Sequence, residues 1–329
     1  MSNHPTYNIL HLLETPGIGV VKTNTILSGL DADFAQKDLR PLLSAKQYEE
    51  FIATEEKARE DWEKLAEMNV ATVSILDEQY PEVLRNRLQK NAPPLLMVLG
   101  NLGLLRKLSA SFCGSRKASE KGLATATDCA DQLAREGINI VSGYAAGVDM
   151  ATHRAALACG GTTTLVLCEG ILHFTIKRHL KELWNWEKVA VVSEFLPSIP
   201  WNVKNAMQRN KTICALSSSM ILIESSSRGG SIEAGRSCLK MGVPLFAPVY
   251  EGMPETALGN RELLRQGAKE LYKNNATNRA NMTNVFRTIL HPAETFRQKT
   301  PTNKTYQIDK SDAQLSLFER GAKFKEGQK

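Results

Sequence analysis

The stretch between residues 109 and 247 alternates short apolar runs with longer segments of helical periodicity. The apolar runs at 109–113, 138–142 and 219–223 are each followed by a segment in which apolar residues recur every three or four positions. Runs of this length separated by helices are typical of strands buried on both faces. The pattern therefore predicts an α/β fold with a doubly wound parallel sheet covered by helices on both sides.

Three of the predicted strands end in small-residue loops just before a helix. The loop residues are Gly114, Ser115 and Arg116; Ser142, Gly143 and Gly147; and Gly229, Gly230 and Ser231. Glycine lets the backbone approach a ligand closely, and the free N–H groups of a helix N-terminus attract phosphate. Because parallel strands end at one edge of a sheet, the three loops predict one composite phosphate-binding crevice.

Basic residues accompany these loops. Arg116 follows the first loop, and Arg209-Asn210-Lys211 lies on the helix before the strand at 219–223. A guanidinium group forms a charged fork that suits phosphate oxygens. We expect Arg116, Arg209 and Lys211 to contact phosphates, with Asn210 beside them.

Asp149 and His153 stand one helical turn apart after the second loop. A carboxylate and an imidazole in this arrangement could serve as metal ligands or as an acid–base pair. No third ligand stands at a useful spacing, so the sequence predicts no metal site and no cofactor. The favoured interpretation is structural: Asp149 caps and orients the loop, and His153 is a hydrogen-bonded, partly buried ring.

The flanking segments differ in composition from this region. Residues 1–69 are predicted to be a small helical domain, 70–273 the Rossmann-like domain, and 274–329 a polar, flexible tail. The turn Pro16-Gly17-Ile18-Gly19 is typical of a helix–hairpin–helix motif, which either holds a DNA phosphate or merely needs glycine to turn. Pro93-Pro94 predicts entry into an edge strand at 95–99, because proline lacks the N–H that a central strand donates.

Charge and cysteine usage narrow the class of protein. The formal net charge of +6 permits a polyanionic partner without requiring one. The six cysteines form no C-x-x-C pair, which favours reduced thiols and a cytoplasmic location. No apolar run approaches the roughly 20 residues of a membrane span, and the N-terminus lacks the pattern of a signal peptide.

A set of short motifs, in order along residues 8–273, resembles the DprA/Smf family of bacterial DNA-processing proteins. They are the Pro16–Gly19 turn, Tyr80-Pro81, Ala92-Pro93-Pro94, Gly114-Ser115-Arg116, Ser142-Gly143, Gly147-Val148-Asp149, Arg209-Asn210-Lys211, Gly229-Gly230-Ser231 and Gly259-Asn260. The resemblance implies an extended Rossmann fold after a SAM-like helical domain. It also implies a homodimer that binds and protects single-stranded DNA and loads a RecA-type recombinase onto it. Natural transformation, recombination and defence against mobile DNA would all suit these residues.

The chain departs from the family pattern at several positions. Ala146 stands where the family has arginine, and Ala206-Met207 where it has an aromatic residue and proline. The end of the chain is too short and polar for the family's winged-helix domain.

Glu233 stands where the family usually has threonine, and it keeps an enzymatic alternative open. Similar glycine loops followed by glutamate occur in nucleotide N-glycosidic hydrolases of the wider superfamily, where the glutamate acts with an arginine. In this chain Arg209 or Arg236 could supply that cation. In the other two interpretations, Glu233 is paired with Arg236, or the protein is a nucleotide sensor without turnover.

The C-terminal segment contains Gln314-Leu315-Ser316-Leu317-Phe318, an apolar island in polar surroundings. It resembles the pentapeptide with which bacterial proteins bind the DNA polymerase sliding clamp. In such a motif Leu317 and Phe318 enter a hydrophobic pocket, and Gln314 hydrogen-bonds the rim. We therefore expect Gln314, Leu315, Leu317 and Phe318 to be clamp-binding residues.

Overall fold

The computed structural model describes residues 5–29, 39–249 and 257–291 of the chain. The α-helices in these ranges are α1 (Pro5–Glu14), α2 (Val20–Ser28), α3 (Ala45–Ala53), α4 (Glu55–Glu67), α5 (Glu82–Leu88), α6 (Glu120–Arg135), α7 (Val148–Ala158), α8 (Val203–Leu216), α9 (Gly230–Lys240), α10 (Leu258–Arg265) and α11 (Thr283–Leu290). The strands are β1 (Ala71–Ser74), β2 (Leu95–Gly100), β3 (Ser109–Cys113), β4 (Asn139–Ser142), β5 (Thr163–Val166), β6 (Val189–Ser193), β7 (Ser219–Leu222), β8 (Leu245–Pro248) and β9 (Lys269–Leu271).

The strands form one sheet in the order β1-β2-β6-β5-β4-β3-β7-β8-β9. From β6 to β9 all neighbours are parallel, which confirms the doubly wound α/β architecture. At the other end, β1 and β2 pair in antiparallel fashion. These two strands precede the segment 109–247 from which the parallel sheet was predicted.

The edge position predicted for the strand after Pro93-Pro94 is also wrong. β2 pairs with β1 on one side and with β6 on the other, so β1 occupies the edge. The prolines do not interrupt these ladders because they precede the first residue of β2. The carbonyl of Pro94 instead accepts a hydrogen bond of 2.9 Å from the main-chain N of Ile75.

Alternating side chains of the central strands divide the core into layers. In β2, Leu96 and Val98 join a cluster with α5, α8 and α9 on one face of the sheet. Leu95, Met97 and Leu99 point to the other face, where they pack with α1, α2 and α4. Further along that second face, α6, α7 and α11 cover β3, β4 and β8. Helices therefore cover both sides of the sheet, as the apolar runs predict.

The N-terminal helices share their core with the sheet. Ile9, Leu10 and Leu12 of α1 are buried in the same cluster as Val189 and Val191 of β6. The predicted boundary at residue 69 thus separates segments of the sequence but does not separate two cores. Within residues 1–69, α3 and α4 are separate helices that meet at Thr54.

The described residues include a helix, α11, beyond the predicted tail boundary at residue 273. Met282, Val285 and Ile289 are buried against the layer that contains α6, because their helical spacing gives α11 one apolar face. Between β5 and β6 the chain forms 3₁₀ turns at Ile171–His173 and Arg178–Leu183. Among the described residues, no helix is both long and apolar enough to cross a membrane.

Candidate nucleic-acid interface

A pocket of about 590 Å³ opens at the carboxyl ends of β3 and β7. β3 lies between β4 and β7, so the chain leaves β3 towards one side of the sheet and later returns to build the other. Ligands of open α/β sheets bind at such a switch point. The lining includes residues of all three predicted loops: Gly114, Ser115, Ala145, Gly230 and Ser231. The structure therefore brings the three loops together at one crevice.

At the first loop, a carboxylate of the chain itself occupies the N-terminus of α6. Glu224 follows β7 and is fully buried. It accepts hydrogen bonds from the main-chain N of Ser119 at 2.9 Å and from the Ser119 hydroxyl at 2.5 Å. The main-chain N of Ser115 donates to the carbonyl of Glu224 at 2.8 Å. The amides of this loop thus bind the protein, which differs from the expectation that they face a phosphate. The side chain of Arg116 remains in the pocket lining.

The second loop is also closed by internal hydrogen bonds. The Ser142 hydroxyl lies 2.9 Å from Asp149 Oδ1, and the main-chain N of Ala145 donates to Asp149 Oδ2 at 3.2 Å. The ring nitrogens of His153 lie 2.6 Å from the Gly143 carbonyl and 2.7 Å from the Thr163 hydroxyl. Burial lowers the pKa of His153, so the ring is neutral.

These contacts agree with the structural interpretation of Asp149 and His153. The His153 ring is fully buried rather than partly buried. In the described ranges, no group of three or more His, Cys, Asp and Glu residues is arranged to hold a metal ion.

The side chain of Arg209 extends from α8 to the pocket, and contacts within the protein hold it there. Its side chain is 7% exposed, and its Nη1 lies 3.8 Å from Asp149 Oδ2. A Cβ at position 143 would stand 1.4 Å from this Nη1, so only glycine leaves room for the guanidinium group. Arg209 Nε is buried and has no hydrogen-bond acceptor among the described residues. The residue still contributes to the pocket lining.

The third loop is open to the pocket. α9 begins after Gly229, whose φ of 110° favours glycine, and no side chain caps its N-terminus. Two hydrogen bonds hold the loop in place. Asn210 Nδ2 donates to the Gly230 carbonyl at 3.2 Å, and the Ser231 hydroxyl donates to the Gly114 carbonyl at 3.0 Å. The N-terminus of α9 therefore faces the crevice without a side-chain cap, and the carboxylate in its first turn, Glu233, pairs with Arg236.

Four cationic side chains and one carboxylate line the pocket: Arg116, Lys117, Arg209, Arg228 and Asp149. Sequence reasoning missed Lys117 and Arg228, although each adjoins a glycine loop and could have been chosen on that ground. It also missed Trp201, which lines the pocket and is half exposed. Burial raises the pKa of the Cys113 thiol at the pocket floor to about 12, so this cysteine stays protonated.

Several predicted site residues do not line the pocket. Lys211 is exposed on α8 and lies outside the pocket lining, so its contact with a phosphate stays a prediction. Ser142, Gly143, Gly147 and Gly229 are not among the residues that line the pocket.

Glu233 likewise stands outside the pocket lining. Its carboxylate pairs with Arg236, which also binds Glu262 at 2.5 Å. This pairing is the structural interpretation offered for Glu233, and the geometry gives no support to a hydrolase built on Glu233 and Arg209. Gln314, Leu315, Leu317 and Phe318 of the clamp-like motif lie outside the described residues.

The fold and the crevice together define a doubly wound α/β protein with a crevice of mainly cationic lining at the carboxyl edge of its sheet. The family model of DNA recombination-mediator protein A matches residues 71–282, more than half of the chain, and the chain belongs to this family. This confirms the resemblance to the DprA/Smf family that its motifs indicate.

Individual relatives agree with this assignment. The chain is 33% identical to Protein Smf of Escherichia coli over 179 residues, 54% of this chain and 48% of that protein. It is 33% identical to DNA processing protein DprA of Streptococcus pneumoniae over 201 residues, 60% of this chain and 69% of that protein. The chain thus spans about half the length of one relative and about two thirds of the other.

Two solved structures share the fold. The structure of DNA processing protein A from Streptococcus pneumoniae aligns with a TM-score of 0.71 at 26% identity, covering 80% of this chain and 94% of that one. DNA processing protein A from Helicobacter pylori, solved to describe a single-stranded DNA binding mode, aligns with a TM-score of 0.55 at 22% identity. That alignment covers 69% of this chain and 96% of the other.

Proposed function

We propose that this protein binds single-stranded DNA in the crevice at the ends of β3 and β7. The observation that carries the proposal is the open N-terminus of α9 within a pocket lined by Arg116, Lys117, Arg209 and Arg228. Phosphates of a nucleic-acid backbone are attracted to both features. The relation to recombination mediators and to a protein studied for its single-stranded DNA binding supports the same ligand.

A single strand suits this site better than a duplex. A pocket of about 590 Å³ admits individual nucleotides, but it cannot enclose stacked and paired strands. The cationic residues contact a backbone that every sequence shares, so binding depends little on base sequence. It depends strongly on salt, because bound phosphates release their counterions.

The role that follows is that of a recombination mediator, which protects single strands and delivers them to a RecA-type recombinase. We propose a homodimer, a cytoplasmic location, and recruitment to replication or repair sites through sliding-clamp binding by residues 314–318. The six cysteines are free, and all except Cys159 are buried, which supports a reducing compartment.

The test is a titration of a fluorescent oligo-dT strand and of the matching duplex at two salt concentrations. We expect preference for the single strand and about tenfold weaker binding in Arg116→Ala and in Arg228→Ala, since each loses a charge-assisted hydrogen bond. Each variant should also reduce the salt slope by about 0.7, the value for one phosphate on a single strand.

Arg154→Ala is the matched control, because it removes an exposed arginine of α7 that lies outside the pocket lining. It should keep the affinity and the salt slope of the unaltered protein. Absence of binding to any strand, or equal losses in Arg154→Ala and Arg116→Ala, would contradict the proposal. Glu233→Gln should leave DNA binding intact, whereas loss of a nucleotide-hydrolysing activity in this variant would support the enzymatic alternative.

A further inference from the structure

The pocket has an apolar wall that phosphate binding does not use. Val203, Ala206 and Met207 lie at helical spacing on α8 and line the pocket with Trp201, which precedes the helix. Trp201 is 50% exposed and Val203 65% exposed. A large apolar group that stays in contact with water at the mouth of a charged pocket marks a place where a ligand is received.

This wall is built into the same site as the open helix N-terminus. A Cβ at position 230 would lie 3.7 Å from Met207 Sδ and 3.7 Å from Asn210 Nδ2, so α8 borders the first residue of α9. Asn202 caps α8 by accepting a hydrogen bond of 2.8 Å from the main-chain N of Asn205, which fixes the backbone next to Trp201. The tryptophan is therefore held at the rim by a rigid element.

Resting on the proposed function, we propose that Trp201 stacks on a nucleobase of the bound strand. The phosphates of that strand lie at the N-terminus of α9 and on Arg116 and Arg228. A nucleotide has an anionic end and a flat apolar end, and the pocket offers a cationic surface and an apolar wall within one volume. The continuity of this wall with the cationic lining favours a nucleobase over an apolar segment of another protein. Stacking accepts every base, since each has a π face.

Stacking of Trp201 on a base can be measured separately from phosphate binding. We expect Trp201→Ala to bind oligo-dT about tenfold more weakly, in line with the stacking energy of one base. Its salt slope should stay unchanged because no phosphate contact is lost. Trp201→Phe should recover most of the affinity, since a smaller ring still stacks.

A second measurement reports on the ring itself. The fluorescence of the unaltered protein should be quenched by oligo-dT, and Trp201→Phe should lose that quenching while still binding. An otherwise identical strand with abasic sites should bind the unaltered protein about as weakly as oligo-dT binds Trp201→Ala. It should lose nothing further in that variant. Trp186→Ala is the matched control, because Trp186 is 42% exposed and lies outside the pocket lining.

The outcomes distinguish the two proposals. If Trp201→Ala keeps full affinity while Arg116→Ala and Arg228→Ala lose it, the stacking role is overturned and the DNA site stands. If Trp201→Ala is weaker on abasic strands by the same factor as on intact strands, the ring acts by shaping the pocket, and stacking is likewise overturned. If none of these variants changes binding, both proposals fail.

Discussion

Two helices, α6 and α9, begin at the same edge of the sheet after adjacent parallel strands, β3 and β7. Each follows a loop that contains glycine and serine, so both match one pattern for anion binding. At α6 the buried carboxylate of Glu224 bonds to the cap residue Ser119. At α9 no side chain caps the helix, and its first residues line the pocket.

The difference shows that a strand–glycine–helix pattern predicts a site for an anion. It does not predict whether that anion is a side chain of the protein or a ligand. Glu224 stands 105 positions after Ser119, at the end of the strand that leads to α9. The segment between β7 and α9 therefore leaves the N-terminus of α9 without a side-chain cap, while its residue Glu224 bonds to the cap residue of α6. We infer that α6 uses its positive end for stability and α9 uses it for a ligand.

The largest expected effect comes from removing the internal anion. Glu224→Ala should lower the free energy of unfolding by about 3 kcal/mol, because Ser119 loses charge-assisted hydrogen bonds in a buried place. Glu233→Ala, which removes an exposed carboxylate from the first turn of α9, should cost less than about 1 kcal/mol. Urea denaturation of both variants measures the contrast. Equal losses would mean that the two helix N-termini do not differ in this way.

A pair of glycine substitutions should separate stability from binding. A Cβ at Gly122 would stand 2.5 Å from Glu224 Oε1, so Gly122→Ala should destabilise the fold by about 1–2 kcal/mol through overpacking. At Gly230 the nearest atoms are 3.7 Å away, so Gly230→Ala should fold normally. Its methyl group would still occupy the pocket, and we expect about fivefold weaker DNA binding, equivalent to about 1 kcal/mol.

Thermal melting and oligo-dT titration of both variants measure the two quantities. The opposite result, a stable Gly122→Ala and an unfolded Gly230→Ala, would contradict the assignment of a stabilising role to the N-terminus of α6 and of a ligand-binding role to that of α9.

The smallest effect concerns pH at the second loop. Burial lowers the pKa of His153 below its usual 6.5, so the unfolded chain binds the proton more tightly than the folded protein. The contribution of His153 to stability is therefore present above about pH 6.5 and is lost as the pH falls below it, at no more than about 1.4 kcal/mol per pH unit.

His153→Gln should flatten the dependence of unfolding free energy on pH between 7.5 and 5.5, relative to the unaltered chain. The salt slope of DNA binding should stay the same at pH 7.5, because His153 touches no pocket residue through its ring nitrogens. An unchanged pH dependence in this variant would show that the ring is not held neutral by the fold.

Local pattern predicted much of this molecule. The apolar run at Ser109–Cys113 became β3, and the helical pattern after Ser119 became α6 with Ser119 as its cap. The three glycine loops meet at one crevice, as the parallel order of their strands implies. Such features depend on neighbours within a few residues, which periodicity and turn chemistry report.

The sequence by itself determined the alternation of strands and helices, the edge of the sheet at which the crevice opens, and the presence of Arg116 there. The tertiary structure decided the antiparallel pairing of β1 with β2, the closure of α6 by Glu224, and the meeting of Trp201 with the N-terminus of α9. These outcomes join residues far apart in the chain, and many partners of the same residue type compete for each contact. The order of the strands and the packing of the helices select one partner, because a buried charge or polar group must find its match within a few ångströms.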